Sequence, residues 1–140
     1  MRVFGIFLFI GLMTTAALAA PIDDVPAWAQ RFTQAALKTD ADALVGLLSE
    51  AAAPGFNVSG MPQMLQSVKS VVGDQSADFA EQFDEKNVGT FLKKINIAVS
   101  YPKIFMFYSV IFGRHAGGWY LYTVKIDGNV NNIINMPWPG

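Results

Sequence analysis

Hydrophobic positions change their spacing near Gly89, and this change divides the chain into two halves. Before Gly89, alanines, leucines and other apolar residues recur at steps of three and four, the period of an amphipathic helix. After Gly89, β-branched and aromatic residues alternate with polar ones or form short apolar runs, which is typical of strands. Helices followed by strands predict an α+β domain with the helices packed on one side of a sheet.

Four segments of the first half have helical spacing. Aspartates can cap the first two, and Pro26 fits a first helical turn, where its missing N–H group costs no hydrogen bond. Pro54-Gly55 ends the second segment and Gly73 ends the third. The predicted helices run from Asp24 or Val25 to Lys38-Thr39, from Thr39 or Asp40 to Pro54-Gly55, over Pro62–Val72, and over Ser76–Glu85.

The second half predicts an antiparallel meander in a curved sheet of four or five strands. Its first strand alternates, which predicts one core face and one wetter face, the latter formed by Lys94, Asn96, Ala98 and Ser100. The glycine-rich segment 113–118 and the pair Asp127-Gly128 predict hairpin turns. The predicted strands are Lys94–Tyr101, Ile104–Phe112, Trp119–Ile126 and Val130–Met136, the last ended by Pro137 and Pro139.

The first nineteen residues predict a secretory signal peptide. Met1-Arg2 is followed by the apolar run Val3–Leu12 and by Ala17-Leu18-Ala19, an A-x-A cleavage site. The alternative is a membrane anchor that stays attached, but the strongly apolar part is about half of the roughly 20 residues that a spanning helix needs. We therefore expect cleavage after Ala19, a single mature domain over residues 20–140, and a secreted or periplasmic location without a membrane anchor.

Composition narrows the classes of function. The mature chain would lose Arg2, so its net charge would change from −1 to −2, and its densest basic cluster is Lys93-Lys94. Nucleic-acid binding and attachment to an anionic membrane surface are therefore not expected. The chain has no cysteine, which excludes disulfides and metal sites built on thiolates. No cofactor and no metal is predicted, and the sequon Asn57-Val58-Ser59 matters only where the source glycosylates exported proteins.

Two segments carry a resemblance to a known family. Residues 28–48 (WAQRFTQAALKTDADALVGLL) resemble the opening helical hairpin of the nuclear-transport-factor-like superfamily, which includes ketosteroid isomerases and polyketide cyclases. Gly118-Trp119-x-Leu121 and residues 124–126 resemble its closing strands. The resemblance implies a cystatin-like α+β roll with a pocket between helices and sheet. The resemblance further implies that, in the family's enzymes, an Asp or a His in that pocket acts as base, often with a Tyr or a second acid that polarises the substrate carbonyl.

Candidate site residues come mainly from the aromatics. His115 is the one histidine of the sequence and the catalytic candidate, since imidazole titrates near neutral pH, although a solvated turn residue is the alternative. No nucleophile adjoins it in sequence. The residues predicted to line an apolar ligand pocket are Trp28, Phe32, Tyr108, Tyr120 and Tyr122. Core packing is the alternative for all five, because strands and helix faces use aromatics for that purpose anyway.

The sequence is compatible with three functions. The first is an exported, non-catalytic small-ligand-binding or accessory domain, with an apolar pocket between helices and sheet. The second is an isomerase- or cyclase-like enzyme that uses a pocket acid or His115 with a tyrosine. The third is a structural protein that pairs through its sheet. Because Ile104–Phe112 is apolar on both faces and one helical layer covers only one, we also expect a homodimer through the outward face.

Overall fold

The computed structural model describes residues 21–139 and has three helices in sequence before a four-stranded antiparallel sheet. The sheet order is β1-β2-β3-β4, and a short helix follows β4. This architecture confirms the α+β prediction. The elements are α1 (Val25–Leu37), α2 (Ala41–Ala51), α3 (Met61–Val72), β1 (Phe79–Val88), β2 (Leu92–Ser100), β3 (Phe105–His115), β4 (Gly118–Asp127) and α4 (Val130–Ile134). The predicted signal peptide lies outside the described residues.

Helices α1 and α2 form a hairpin that is fixed at both starts by aspartate caps. Asp24 accepts a hydrogen bond from the backbone N–H of Ala27, and Asp40 accepts one from that of Ala43, each at 3.0 Å. Such caps satisfy N–H groups that have no partner within the helix. Trp28 Nε1 donates to the carbonyl of Leu47 at 3.1 Å and ties the two helices together. Their apolar faces then pack on the sheet as predicted.

The segment predicted as a fourth helix, Ser76–Glu85, is wrong: strand β1 runs over Phe79–Val88. Phe79 and Phe83 are four residues apart, a spacing that fits a helical face but also fits one face of a strand. Most side chains of β1 are exposed, so the segment has no apolar face that a helix would bury. Its backbone pairs with β2 instead. A β-bulge between Gln82 and Asp84 shifts the register within this edge strand.

The predicted last strand, Val130–Met136, is also wrong, because these residues contain helix α4. Asp127 accepts a hydrogen bond from the backbone N–H of Asn129 at 2.8 Å, and Asn129 caps the helix by accepting from Asn131 at 3.0 Å. Asp127-Gly128 therefore starts a capped helix and not a hairpin. Asn132 Nδ2 adds a second hydrogen bond to Asp127, at 3.0 Å from Oδ2.

The outward face of the sheet, the face opposite helices α1–α3, differs from the sequence prediction. The β2 residues on this face were expected to be solvent-exposed, yet all four are buried: Lys94, Asn96, Ala98 and Ser100. Helix α4 and the tail after it cover part of this face, and Ile133 of α4 is fully buried. Lys94 Nζ donates to the carbonyl of Met136 at 2.5 Å and lies over the Trp138 ring. Burial, followed by repulsion from Lys86, lowers the pKa of Lys94.

Candidate functional site

A narrow cleft lies between the helices and the sheet, where the predicted pocket was expected. Its volume is about 10 Å³, close to the space of one water molecule. Helices α2 and α3 form one wall, and the other is formed by Tyr101, directly after β2, and Tyr108 of β3. The lining residues are Thr39, Ala41, Leu44, Leu65, Val68, Lys69, Tyr101 and Tyr108. The structure is therefore a roll with a small, mostly apolar pocket.

Two buried tyrosines give this cleft its polar groups. The Tyr101 hydroxyl lies 3.4 Å from Thr39 Oγ1, and Tyr108 is 1 % exposed. Burial, with a smaller contribution from Tyr101, raises the pKa of Tyr108 well above its ordinary value. The Tyr108 phenol is therefore neutral at ordinary pH. Among the described residues, the cleft lining contains no carboxylate and no imidazole, and Lys69 is exposed.

Three of the five predicted ligand residues form an aromatic cluster beside the cleft. Trp28 stacks on Phe32 with ring centroids 5.2 Å apart, and Phe32 meets Tyr108 edge to face at 5.4 Å. Phe112 packs edge to face against Trp28 at 5.0 Å. All four side chains are almost fully buried, so they form the centre of the core. Of the three predicted residues, Tyr108 alone lines the cleft.

The other two predicted ligand residues, Tyr120 and Tyr122, lie on the outward face of the sheet. There they meet His115, which the sequence placed in a loop but which is the last residue of strand β3. His115 Nε2 forms a hydrogen bond with the Tyr122 hydroxyl, and the His115 and Tyr120 ring centroids are 6.0 Å apart. The structure thus joins the catalytic candidate to a tyrosine, but away from the interior cleft.

Tyr101 and Thr39 line the cleft but are not among the five predicted ligand residues. The alternation of β2 did place Tyr101 on the core face, with Ile95, Ile97 and Val99, so the burial of Tyr101 could be predicted from the pattern. Thr39 follows α1 with φ of 53°, a left-handed conformation that is uncommon for a β-branched residue. No sequence pattern indicates that this turn returns to meet a strand 62 residues away.

The surface holds shallower concavities. One of them, about 480 Å³, is an open groove between α1 and α2 with a mixed polar and apolar lining. Arg31 at its edge forms an ion pair with Glu50 at 2.8 Å, and both side chains are about half exposed. Within residues 21–139 no three side chains of the His, Cys, Asp and Glu types come together as a metal site. In the same part of the chain, no helix has the length and apolarity needed to cross a membrane.

Comparisons with known proteins give likenesses of structure. No family model and no curated protein matches the sequence. An NTF2-like protein of unknown function in nutrient uptake from Rhodospirillum rubrum is 18 % identical, with 76 % of this chain and 99 % of that one covered and a TM-score of 0.46. A candidate association domain of calcium/calmodulin-dependent protein kinase type II from Thiobacillus denitrificans is 14 % identical, with coverages of 76 % and 97 % and a TM-score of 0.49.

A candidate dehydratase of the NTF2-like family from Streptomyces avermitilis is 16 % identical, with 73 % of this chain and 92 % of that chain covered and a TM-score of 0.41. "NTF2-like" denotes the nuclear-transport-factor-like superfamily, the family that residues 28–48 and the closing strands resemble in sequence. Fold does not carry function. The activity of this chain has to be argued from its own clefts and surfaces.

Proposed function

We propose that the chain is an exported, non-catalytic domain that binds a small apolar ligand between its helices and its sheet. The observation that carries the proposal is the cleft lined by Tyr101, Tyr108 and apolar side chains of α2 and α3. Ligand pockets are mostly apolar with a few placed polar groups, and two buried phenols with a threonine hydroxyl match that pattern. The ligand favoured by this lining is an uncharged, largely apolar molecule with one or two hydrogen-bonding groups.

The polar groups of the cleft support a binding role over catalysis. A base or acid that works near neutral pH needs a carboxylate, an imidazole or a perturbed amine within hydrogen-bond reach of the substrate. The described lining offers three hydroxyls and the exposed amine of Lys69, and burial keeps Tyr108 protonated. The enzyme alternative rests on His115 with Tyr122, which lie on the opposite face of the sheet.

Ligand entry requires helix α3 to move. A volume of about 10 Å³ admits one water molecule, whereas drug-sized ligands occupy roughly 300 Å³ or more. Helix α3 packs mainly on α2, begins after Gly60 and has Pro62 in its first turn. An outward shift of α3 would separate Leu65 and Val68 from the tyrosines and widen the cleft. The proposal therefore includes an opening step in which α3 is the moving wall.

The proposal is tested with p-cresol and toluene, two probes of similar shape of which only p-cresol has a hydroxyl. We expect the protein to bind p-cresol more tightly, and Tyr108→Phe to reduce that preference about three- to tenfold, the loss of one hydrogen bond. Tyr122→Phe is the matched control on the outward face. Titration calorimetry gives both affinities. An unchanged preference in Tyr108→Phe, or an equal loss in Tyr122→Phe, would contradict the cleft as the binding site.

A second function, pairing through the sheet, is favoured by an aromatic patch on the outward face. We define the phenylalanine patch as Phe79, Phe83, Phe105 and Phe107. Their rings contact one another at centroid distances of 5.9 to 6.3 Å, and the first three remain 44, 36 and 46 % exposed. Contiguous exposed apolar side chains usually mark an interface. We propose that a second copy of the chain covers this patch in a homodimer.

A further inference from the structure

A groove of about 350 Å³ lies at the far end of the outward face from the phenylalanine patch. Its residues come from the β1–β2 turn, the ends of β3 and β4, and the C-terminal tail: Phe91, Leu92, Gly113, Arg114, His115, Tyr122 and Pro139. Phe105 and His115 are ten residues apart on β3, a separation of roughly 34 Å along the strand. The groove is therefore independent of the patch, and the sheet separates it from the interior cleft.

Two features of the backbone aim Tyr122 into this groove. Ile111 pairs with Thr123 and Phe112 pairs with Leu121, so Tyr122 is the extra residue of a β-bulge. Bulges redirect side chains and are frequent beside functional sites. Gly113 lies under the redirected ring, and a Cβ atom there would come within 2.7 Å of Tyr122 Cε2. The bulge and the glycine together let the ring lie flat on the strand.

The redirected tyrosine reaches His115, and the pair forms the polar end of the groove. The Tyr122 hydroxyl hydrogen-bonds to His115 Nε2, and the two rings are 30° from parallel. This contact leaves Nδ1 of the imidazole for another partner. Tyr122 is 37 % exposed and His115 is also exposed, so a ligand can reach both side chains.

The remaining walls are apolar, and the lining also carries one guanidinium and one imidazole. Phe91 is 55 % exposed, an unusual position for a large aromatic, and it stands with Leu92 and Pro139 around the groove. Arg114 and His115 are the ionisable basic groups of the lining, and among the described residues no carboxylate lines it. The exposed aromatic wall suits a flat apolar body, and the basic end suits an anionic group.

We propose that this groove binds a small planar apolar molecule that carries one anionic group, such as an aromatic carboxylate or sulfonate. The ring system lies between Phe91 and Tyr122, and the anion lies toward Arg114 and His115. The site differs from the interior cleft in its elements and in the charge of its ligand. It also assigns a role to the bulge and to Gly113, which the interior ligand site does not use.

The test uses 8-anilinonaphthalene-1-sulfonate, a planar anionic dye that fluoresces in apolar sites, and neutral N-phenyl-1-naphthylamine. We expect saturable binding of the anionic dye, weakened about tenfold by Phe91→Ser and by Arg114→Gln, since each loses one principal contact. Gly113→Ala is expected to weaken it as well, by displacing Tyr122. Arg114→Gln is expected to leave the affinity for the neutral dye unchanged, because that dye lacks the anion.

Controls separate this groove from the other two surfaces. Phe105→Ser removes one ring of the phenylalanine patch, and Tyr108→Phe alters the interior cleft, so neither should change the affinity for the anionic dye. Circular dichroism verifies that each variant is folded. Equal affinities in the wild type, Phe91→Ser and Arg114→Gln would overturn the proposal. Loss of dye binding in Phe105→Ser would also overturn it and would assign the dye to the phenylalanine patch.

Discussion

Replacing Phe105 with glutamate is expected to convert the proposed homodimer into a monomer. Phe105 is the most exposed residue of the phenylalanine patch, at 46 %, and its ring contacts those of Phe79 and Phe107. It therefore lies where the outward faces of two copies would meet. In a two-fold symmetric pair the same residue is lost from both sides of the interface, so one substitution acts twice.

The magnitude follows from the exposed area. A phenylalanine ring buries on the order of 200 Å² in a full contact, so 46 % exposure leaves about 90 Å² of Phe105 to cover in each copy. Two copies lose about 180 Å², which at about 25 cal/mol per Å² is about 4.5 kcal/mol. That is about a 2000-fold increase in the dimer dissociation constant. A carboxylate left without a partner in the contact adds further cost.

Sedimentation equilibrium of the purified protein over a hundredfold range of concentration measures the change. The wild type is expected to approach twice the chain mass at micromolar concentration, and Phe105→Glu to stay at one chain mass. Val71→Glu is the control, because Val71 is 59 % exposed on helix α3, on the other side of the sheet. A wild type that remains monomeric throughout, or a Phe105→Glu protein that dimerises as the wild type does, refutes the reasoning.

Three further outcomes are expected. Phe32→Ala removes a fully buried ring from the core cluster and should lower the free energy of unfolding by about 3–5 kcal/mol in urea titrations. A loss below about 1 kcal/mol would contradict this and would mean that neighbouring side chains fill the cavity. The hydrogen bond from Asn129 lowers the pKa of Asp127, so this carboxylate stabilises α4 above its unfolded pKa and loses that effect as pH falls through the lower folded value. The protection factors of the α4 amides, which correct for the intrinsic pH dependence of exchange, should therefore fall in acid, and less so in Asp127→Asn; an equal acid dependence would contradict this. Mass spectrometry of the exported form should give a chain that begins at Ala20, and intact Met1 in a membrane fraction would oppose export.

The sequence predicted those parts of the fold that are set by local patterns. Aspartate caps and apolar steps of three and four locate α1 and α2, and alternation locates β2, because each pattern reflects burial against one neighbouring layer. The errors fall where two structures share one pattern. Phe79 and Phe83 suit a helix or a strand, and Asp127-Gly128 begins either a hairpin or a capped helix. Long-range pairing with β2, and the Asn129 cap, decide between them.

The candidate sites were harder to predict from the sequence than the fold, for a related reason. An aromatic residue on a strand has the same local pattern whether it fills a core, lines a cleft or lies in a groove. Tyr108 and Tyr122 are both strand tyrosines, yet one is buried beneath α3 and the other is turned onto Gly113 by a bulge. The bulge depends on a one-residue offset between β3 and β4, and no periodicity within either strand records it.

Strand β3 is apolar on both faces, and different parts of the chain cover the two faces. Its inward residues join the aromatic core, as the alternation requires. On the outward face, Ile111 is fully buried where α4 and the tail cross the sheet, whereas Phe105 lies beyond that cover and remains exposed. The sequence led us to expect that a second copy covers the whole outward face. Because α4 already shields its middle, the proposed pairing surface is confined to the phenylalanine patch, and the proposed ligand groove lies at the other end of the face.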